Sequence, residues 1–356
     1  MLVLGGAVIH VSANRSFDKA AAELSSATQD ARDAADELDI VADDAGDAVA
    51  ASEAIVGSAA DDLIDVGART ALADQAAATR ESVDAAQARL STGPSSELPE
   101  KPLWTWELLE ANPTLEETAA ELTEFAGELD ADETAIQDAE AALVGSAVAL
   151  YASAPAAAAA LEAANVSAVN DVVLDFRDAR DAVARQTAVG SGAVDAFRTY
   201  AENAATLKAS AQTELAEKAG PLLSTRLEIE AFARSIAGGV VLDFDWAPIV
   251  NNIGGSAGMG GTATWVAMRG GFSTITLSDS VAENWPSADA QALVAHEVGH
   301  AITAKCSDMF DSTSGPANEQ WATAWAISMG HTAEGNGVQA YGYPPAELID
   351  QAAGCR

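Results

Sequence analysis

The chain has 356 residues, of which 54 are acidic and 18 basic, for a formal net charge of −36. Such an excess of carboxylates excludes nucleic acid as a partner, because phosphate binding needs clustered Lys and Arg, and it predicts repulsion from anionic lipid headgroups. The length is enough for two or more domains.

Met1 to Val11 is an apolar run of eleven residues, too short to span a bilayer by itself and without the basic start of a complete signal peptide. We read residues 1–15 as the remnant of a membrane anchor or signal segment, which predicts membrane anchorage through the N-terminus. From Phe17 to Leu90 the chain is rich in Ala and Asp, contains no proline and keeps a seven-residue rhythm. Ala21, Thr28, Ala35, Ala42, Val49, Val56, Leu63 and Thr70 form one column. Leu24, Ala31, Leu38, Ala45, Ser52, Ala59 and Val66 form the other. The columns are made of small residues, which suits close antiparallel packing in a bundle better than a free-standing zipper. A helical partner for this region is the sharper alternative.

Thr92 to Pro102 reads as a linker. Trp104 and Trp106 follow it, and we expect them to anchor the packing at one end of a bundle. Helical pattern resumes at Thr114 and runs to about Ala219, with breaks expected at Pro155 and at Gly190–Gly192; the Ala-rich stretch 152–164 is helical by propensity. Residues 16–235 hold 42 acidic and 14 basic side chains and neither His nor Cys, so no chemistry is visible there.

Composition changes near Gly220-Pro221. A helical run, Leu222 to Ala237, leads to a predicted strand, Val240 to Trp246. Asn251 to Gly261 is a Gly-rich loop that lacks the Lys-Ser/Thr of a phosphate-binding loop. Thr262–Met268 and Phe272–Leu277 are β-rich runs separated by Arg269-Gly-Gly, a hairpin signal. Five of the seven Trp and three of the four His lie beyond residue 239. The expected architecture is mainly α: an acidic helical bundle or coiled coil over 16–220, then a small α+β domain over 221–356.

That second part contains His296-Glu297-Val298-Gly299-His300 within a predicted amphipathic helix, Ser287 to Ala304, whose apolar stripe is Leu293, Val294, Val298, Ala301 and Ile302. Histidines four apart stand one turn above each other, so both imidazoles can reach one Zn²⁺ at ~2.0–2.1 Å. Glu297 is then placed to act on a water as general base without being a ligand. A catalytic zinc takes a third protein ligand, and Cys306, Asp308, Asp311, Glu319, His331 and Glu334 are the candidates downstream. Glu319 opens a second helical run, Asn318 to Met329, in which Glu319, Ala322 and Ala326 share one face.

An H-E-x-x-H helix followed, 19 residues after its second His, by a helical Glu resembles the gluzincin branch of the zincin metallopeptidases. Glu319-x-x-Ala322-x-x-Trp325-Ala326 is similar to their second-helix pattern. The resemblance covers the last third of the chain. It implies one Zn²⁺ held by His296, His300 and Glu319, with Glu297 as base and a peptide or protein as substrate. It also implies that an edge strand, Thr262–Met268 or Phe272–Leu277, pairs with the substrate beside the Gly-rich loop. Two departures stand out. Thr323 occupies the position where many gluzincins carry an Asp that orients a ligand His. In the metzincin branch the third ligand would fall at Cys306, but the Gly needed for its turn is Thr303.

Cys306 and Cys355 are the only cysteines, and we expect them to form a disulfide in an oxidising compartment. His331 is placed either to polarise the scissile carbonyl or to interact with a helix C-terminus; Tyr341 and Tyr343 are similar candidates. Together these readings predict a secreted or surface-anchored, extracytoplasmic zinc metallopeptidase. The alternative is a non-catalytic helical tether or interaction protein carrying a degenerate zincin domain.

Overall fold

The computed structural model describes residues 2–94 and 97–356, with the backbone alone for 2–6. Met1 and the side chains of residues 2–6, in the expected anchor segment, and Ser95 and Ser96, in the expected linker, lie outside the described residues. The protein is mainly helical, with one small sheet. Its backbone divides into two compact units, Met1–Ala157 with Asp181–Ala201, and Ala158–Arg180 with Glu202–Arg356. The composition change near Gly220 falls inside the second unit.

The first unit is built on three long helices, α1 (Leu2–Ser58), α2 (Val66–Leu90) and the greater part of α3 (Thr105–Ala164). The heptad columns are not one continuous seam: the chain turns at residues 59–65, where Asp65 caps α2 by accepting from the Ala68 amide at 2.8 Å. Leu24, Ala31, Leu38, Ala45, Ser52 and Ala59 are buried as a column, and Leu38 and Ala45 meet Val83 and Ala86 of α2 and Leu129 and Ile136 of α3. Further towards the start of α1, Phe17 and Leu24 pack on Leu108, Leu115 and Leu122. α3 therefore runs parallel to α1, and α2 runs antiparallel to both where the three helices meet.

Two expectations fail here. α3 starts at Thr105, ahead of the expected restart at Thr114, and passes through Pro113 and Pro155 without ending at either. A proline inside a helix costs about 3 kcal/mol, but each is bracketed by buried contacts, Leu108 and Leu115 around the first, Tyr151 and Ala158 around the second. The packing outweighs the lost hydrogen bond. Trp104 and Trp106 are not packing anchors either; both are exposed. Trp106 lies roughly 200° around the helix from the buried Leu108, so one face cannot hold both. α3 also carries an 18-residue window long and apolar enough to cross a membrane by length and composition, while its Leu143, Ala147, Leu150 and Ala154 are fully buried.

In the second unit, α4 (Asn170–Ala184) and α5 (Ser191–Glu217), each in part, precede α6 (Leu223–Ile236) and a three-stranded sheet of order β1-β3-β2. β1 (Val241–Ala247) runs parallel to β3 (Phe272–Ser278), and β2 (Gly261–Ala263) pairs antiparallel on the other side. Ser273, Ile275 and Leu277 alternate inward along β3, as a half-buried strand requires. Asn170, at the start of α4, reaches the sheet: its amide donates to Asp243 Oδ2 at 2.9 Å and its side chain to the Ser273 carbonyl at 2.8 Å.

Helix α7 (Asp279–Glu283) leads to α8 (Ala288–Ala301), capped by the Ser287 hydroxyl. α8 is buried over nearly its whole length, with Val294 and Val298 in one core with Phe244, Ile275, Trp321 and Trp325. α9 (Thr303–Cys306) follows, then α10 (Gly315–Ser328), capped by Ser314, and the short α11 (Val338–Tyr341) and α12 (Ala346–Ala352). Cys306 and Cys355 are joined in a disulfide with Cα atoms 6.2 Å apart. The bond closes a loop around α10, and the Trp325 indole donates to the Cys355 carbonyl at 2.9 Å.

Candidate metal centre

The site is assembled where α8 crosses α10. Gly299, inside the H-E-x-x-H stretch, makes the crossing possible: a Cβ there would lie 2.7 Å from the Ala322 carbonyl oxygen and 2.8 Å from its Cα. With no side chain on one helix and a methyl on the other, the backbones approach closely, and Glu319 on α10 reaches the two histidines of α8. Glu319 Oε2 lies 3.1 Å from His296 Nε2 and 3.3 Å from His300 Nε2, and the two Nε2 atoms are 3.2 Å apart. One atom from each of the three residues falls within 4.8 Å of the others. Two imidazole nitrogens and one carboxylate oxygen form a donor set suited to Zn²⁺, and the group could hold a metal ion. Burial by itself would raise the Glu319 carboxyl, but hydrogen bonds and charge from the two histidines outweigh it and hold the group well below the usual carboxylate range.

His296 is oriented from behind. Its Nδ1 lies 2.9 Å from the Asn336 carbonyl oxygen and 3.3 Å from Thr323 Oγ1. Thr323 stands where the gluzincin pattern has an Asp, and the nearer acceptor here is a main-chain carbonyl, which fixes which ring nitrogen faces Glu319. Asn336 is itself buried and held, its amide donating to the His331 carbonyl at 3.0 Å and its Oδ1 accepting from the Val338 amide at 3.1 Å. The close pass needs Gly337, whose φ of +97° favours glycine and whose Cβ would meet the His296 ring at 2.9 Å. On the other side, the Tyr341 ring stacks on His296, with centroids 5.9 Å apart and planes 8° apart. Burial and the adjacent Glu319 carboxylate push the Tyr341 hydroxyl up.

Glu297 occupies a different environment from Glu319, although both are carboxylates of the same site. It is 4% exposed, and its Oε2 has no hydrogen-bond partner among the described residues. Burial pushes its carboxyl up to about 7; His296 opposes this and Glu319 adds to it. The carboxylate lies against edge strand β2, and Gly261 is what admits it, since a Cβ there would be 2.5 Å from Glu297 Oε1. Of the two candidate edge strands, the segment beginning at Gly261 is the edge and Phe272–Ser278 is the centre of the sheet. The regular strand is shorter than Thr262–Met268, but the Thr264 amide still donates to the Thr274 carbonyl, and Val266 bridges to Phe272.

Two clefts meet over Glu297. One, of about 440 Å³, runs past the Gly258–Gly260 loop, Leu293, Asp289 and Glu334. The other, of about 270 Å³, opens on Trp265, His300, Asn318 and Glu319. Gly261, His296, Glu297 and Tyr341 line both. Among the described residues, neither wall contains Lys or Arg.

The remaining sequence candidates lie elsewhere. His331 lines neither cleft; its ring packs edge-on against Phe232, with centroids 5.4 Å apart, and burial lowers its imidazole pKa. Tyr343 is exposed and on neither wall. Cys306 is in the disulfide, so it is not available as a ligand. The orienting role of Asn336 was not foreseen. Its setting, Gly335-Asn336-Gly337, is legible as a turn, but a backbone carbonyl carries no signature of its acceptor role. Comparison of the chain with protein-family models, with curated proteins and with solved structures finds no match.

Proposed function

We propose that this protein is a zinc-dependent peptidase of gluzincin-like design, with His296, His300 and Glu319 as the metal ligands. The observation that carries the reading is the convergence of these three donors beside Glu297, a buried carboxylate with an unpartnered oxygen. Zn²⁺ held there would supply Lewis acidity, polarising the peptide carbonyl and making a water acidic near neutral pH.

The chain's own groups divide the remaining work. Glu297 takes a proton from the attacking water, the water oxygen bonds to the carbonyl carbon, and Glu297 returns the proton to the amine as the C–N bond breaks. Burial with one oxygen left unpartnered among the described residues leaves this carboxyl without a competing hydrogen bond as it takes and returns that proton. Tyr341, stacked on His296, is within the site to donate its hydroxyl hydrogen to the developing oxyanion. β2 offers its unpaired edge to an extended peptide, whose main chain would lie along both clefts. His331 and Tyr343 have no part in this scheme. The disulfide supports an extracytoplasmic setting, secreted or at the cell surface.

The test is hydrolysis of an unstructured protein substrate by the purified chain, with and without chelator, together with the zinc-to-protein ratio after dialysis. We expect a ratio near one and hydrolysis abolished by chelator. Glu297→Ala should keep the zinc and lose turnover. A folded protein with a ratio near zero would overturn the reading and leave a non-catalytic helical tether.

A further inference from the structure

One end of the helical unit carries apolar side chains that the bundle does not bury. His10 Nδ1 on α1 and Thr105 Oγ1 on α3 are 2.7 Å apart, so the beginnings of these two helices lie side by side. Below this joint the core starts, with Ala13, Phe17 and Leu108 buried. Around it the large apolar residues face outward: Val8 is 68% exposed, Leu103 84%, Trp104 65% and Trp106 62%, and Ile9 is also more than half exposed. A cluster of this kind, on one end of a chain whose other exposed apolar residues are scattered, marks a contact surface.

Its chemistry narrows the partner. In a chain with 54 acidic residues the first is Asp18, so the opening turns of α1 are free of negative charge. Arg15, Lys19 and Lys101 follow directly below the apolar end, and Lys101 pairs with Asp18 beside Phe17. Two exposed tryptophans on this apolar end, where Glu107 is the acidic residue of the first turn of α3 and accepts from the Trp104 amide, match the boundary between hydrocarbon and water, where an apolar ring with a polar N–H is best accommodated beside charged neighbours. A second copy of the chain is a poor fit, because it would bring two bodies of net charge −36 together.

We propose that this end of the bundle docks on the surface of a lipid bilayer, with Trp104 and Trp106 at headgroup depth. The inference is independent of the peptidase reading. It is tested with the full chain and vesicles of zwitterionic phosphatidylcholine, because the acidic chain is repelled by anionic lipid. We expect the chain to float with the vesicles, and brominated phosphatidylcholine to quench part of its tryptophan fluorescence. In Trp104→Ser/Trp106→Ser, partitioning should fall at least ~10-fold, the scale of two lost aromatic insertions, and the quenching should disappear. Both side chains are exposed, and circular dichroism of the variant checks that the helices are retained. Absence of flotation overturns the proposal. So does flotation with unchanged partitioning and no quenching difference, which would assign binding to the apolar start of α1 alone. A concentration-dependent dimer that the double variant abolishes, without flotation, overturns it in favour of a second copy.

Discussion

Gly261 on the edge strand and Glu297 on α8 occupy one space: the carboxylate sits where a Cβ on the strand would be, 2.5 Å from Oε1. The strand proposed to bind a peptide main chain is therefore also the wall against which Glu297, the proposed general base, is packed. Gly261→Ala must displace the carboxylate or the strand. A shift of about 1 Å at a reacting group costs on the order of 100-fold in rate. We expect kcat to fall by roughly that factor, while the zinc-to-protein ratio, set by residues the methyl does not touch, stays near one. Loss of zinc together with activity would mean that the strand supports the ligands as well.

Gly337 does the corresponding work behind His296. An added methyl at a φ of +97° would meet Thr323 Oγ1 at 2.7 Å and the His296 ring at 2.9 Å, pushing the Asn336 carbonyl off Nδ1. Groups that orient a ligand histidine are worth about 10- to 100-fold in metal affinity. Gly337→Ala should weaken zinc binding on that scale, measured by competition with a chromophoric chelator. Wild-type affinity in a folded variant would remove the Asn336 carbonyl from its orienting role.

The larger cleft carries Asp289 and Glu334, both exposed, on its wall. A substrate side chain on that side meets negative charge. We expect peptides with Lys or Arg there to be cleaved in preference to matched peptides with Glu, with the preference weakening as salt rises. Asp289→Asn/Glu334→Gln should reduce the ratio of kcat/KM values for the two peptides about 10-fold or more. A ratio that does not move would show that the two carboxylates do not contact substrate.

Asp243 gives a prediction on stability. Burial raises its carboxyl above the ordinary value of about 3.9, against hydrogen bonds from Thr274 and Asn170 that lower it. A raised folded pKa means that the stabilising contribution is complete below the unfolded pKa and is lost as pH rises through the folded one. Asp243→Asn does not titrate and keeps an oxygen for the Asn170 amide. The Tm difference between variant and wild type should move in favour of Asn as pH rises from about 4 to 7. A difference that is flat over that range would show that the carboxyl titrates alike in both states.

Much of this protein is legible as periodicity and spacing. The column Leu24, Leu38, Ala45 and Ser52 is buried because a seven-residue rhythm places those side chains on one stripe of any α-helix. His296 and His300 face one point for the same reason, and Ser287 and Ser314 cap their helices by local hydrogen bonds. These are consequences of backbone geometry within a few residues. Spacing also drew attention to Glu319.

Other features depend on which surfaces meet. Pro113 and Pro155 remain inside α3 because neighbouring helices bury the turns on either side, and a local rule cannot weigh that. Trp104 and Trp106 face outward because Leu108 takes the core. The orientation of His296 by a carbonyl 40 residues away, and the difference between Glu297, pushed up, and Glu319, held down, arise from packing that the residue types do not encode. The sequence by itself determined the helical character of most of the chain and which side chains could act as ligand and base. Only the tertiary structure decided what surrounds each of them, because desolvation and main-chain hydrogen bonds are properties of the packed neighbours.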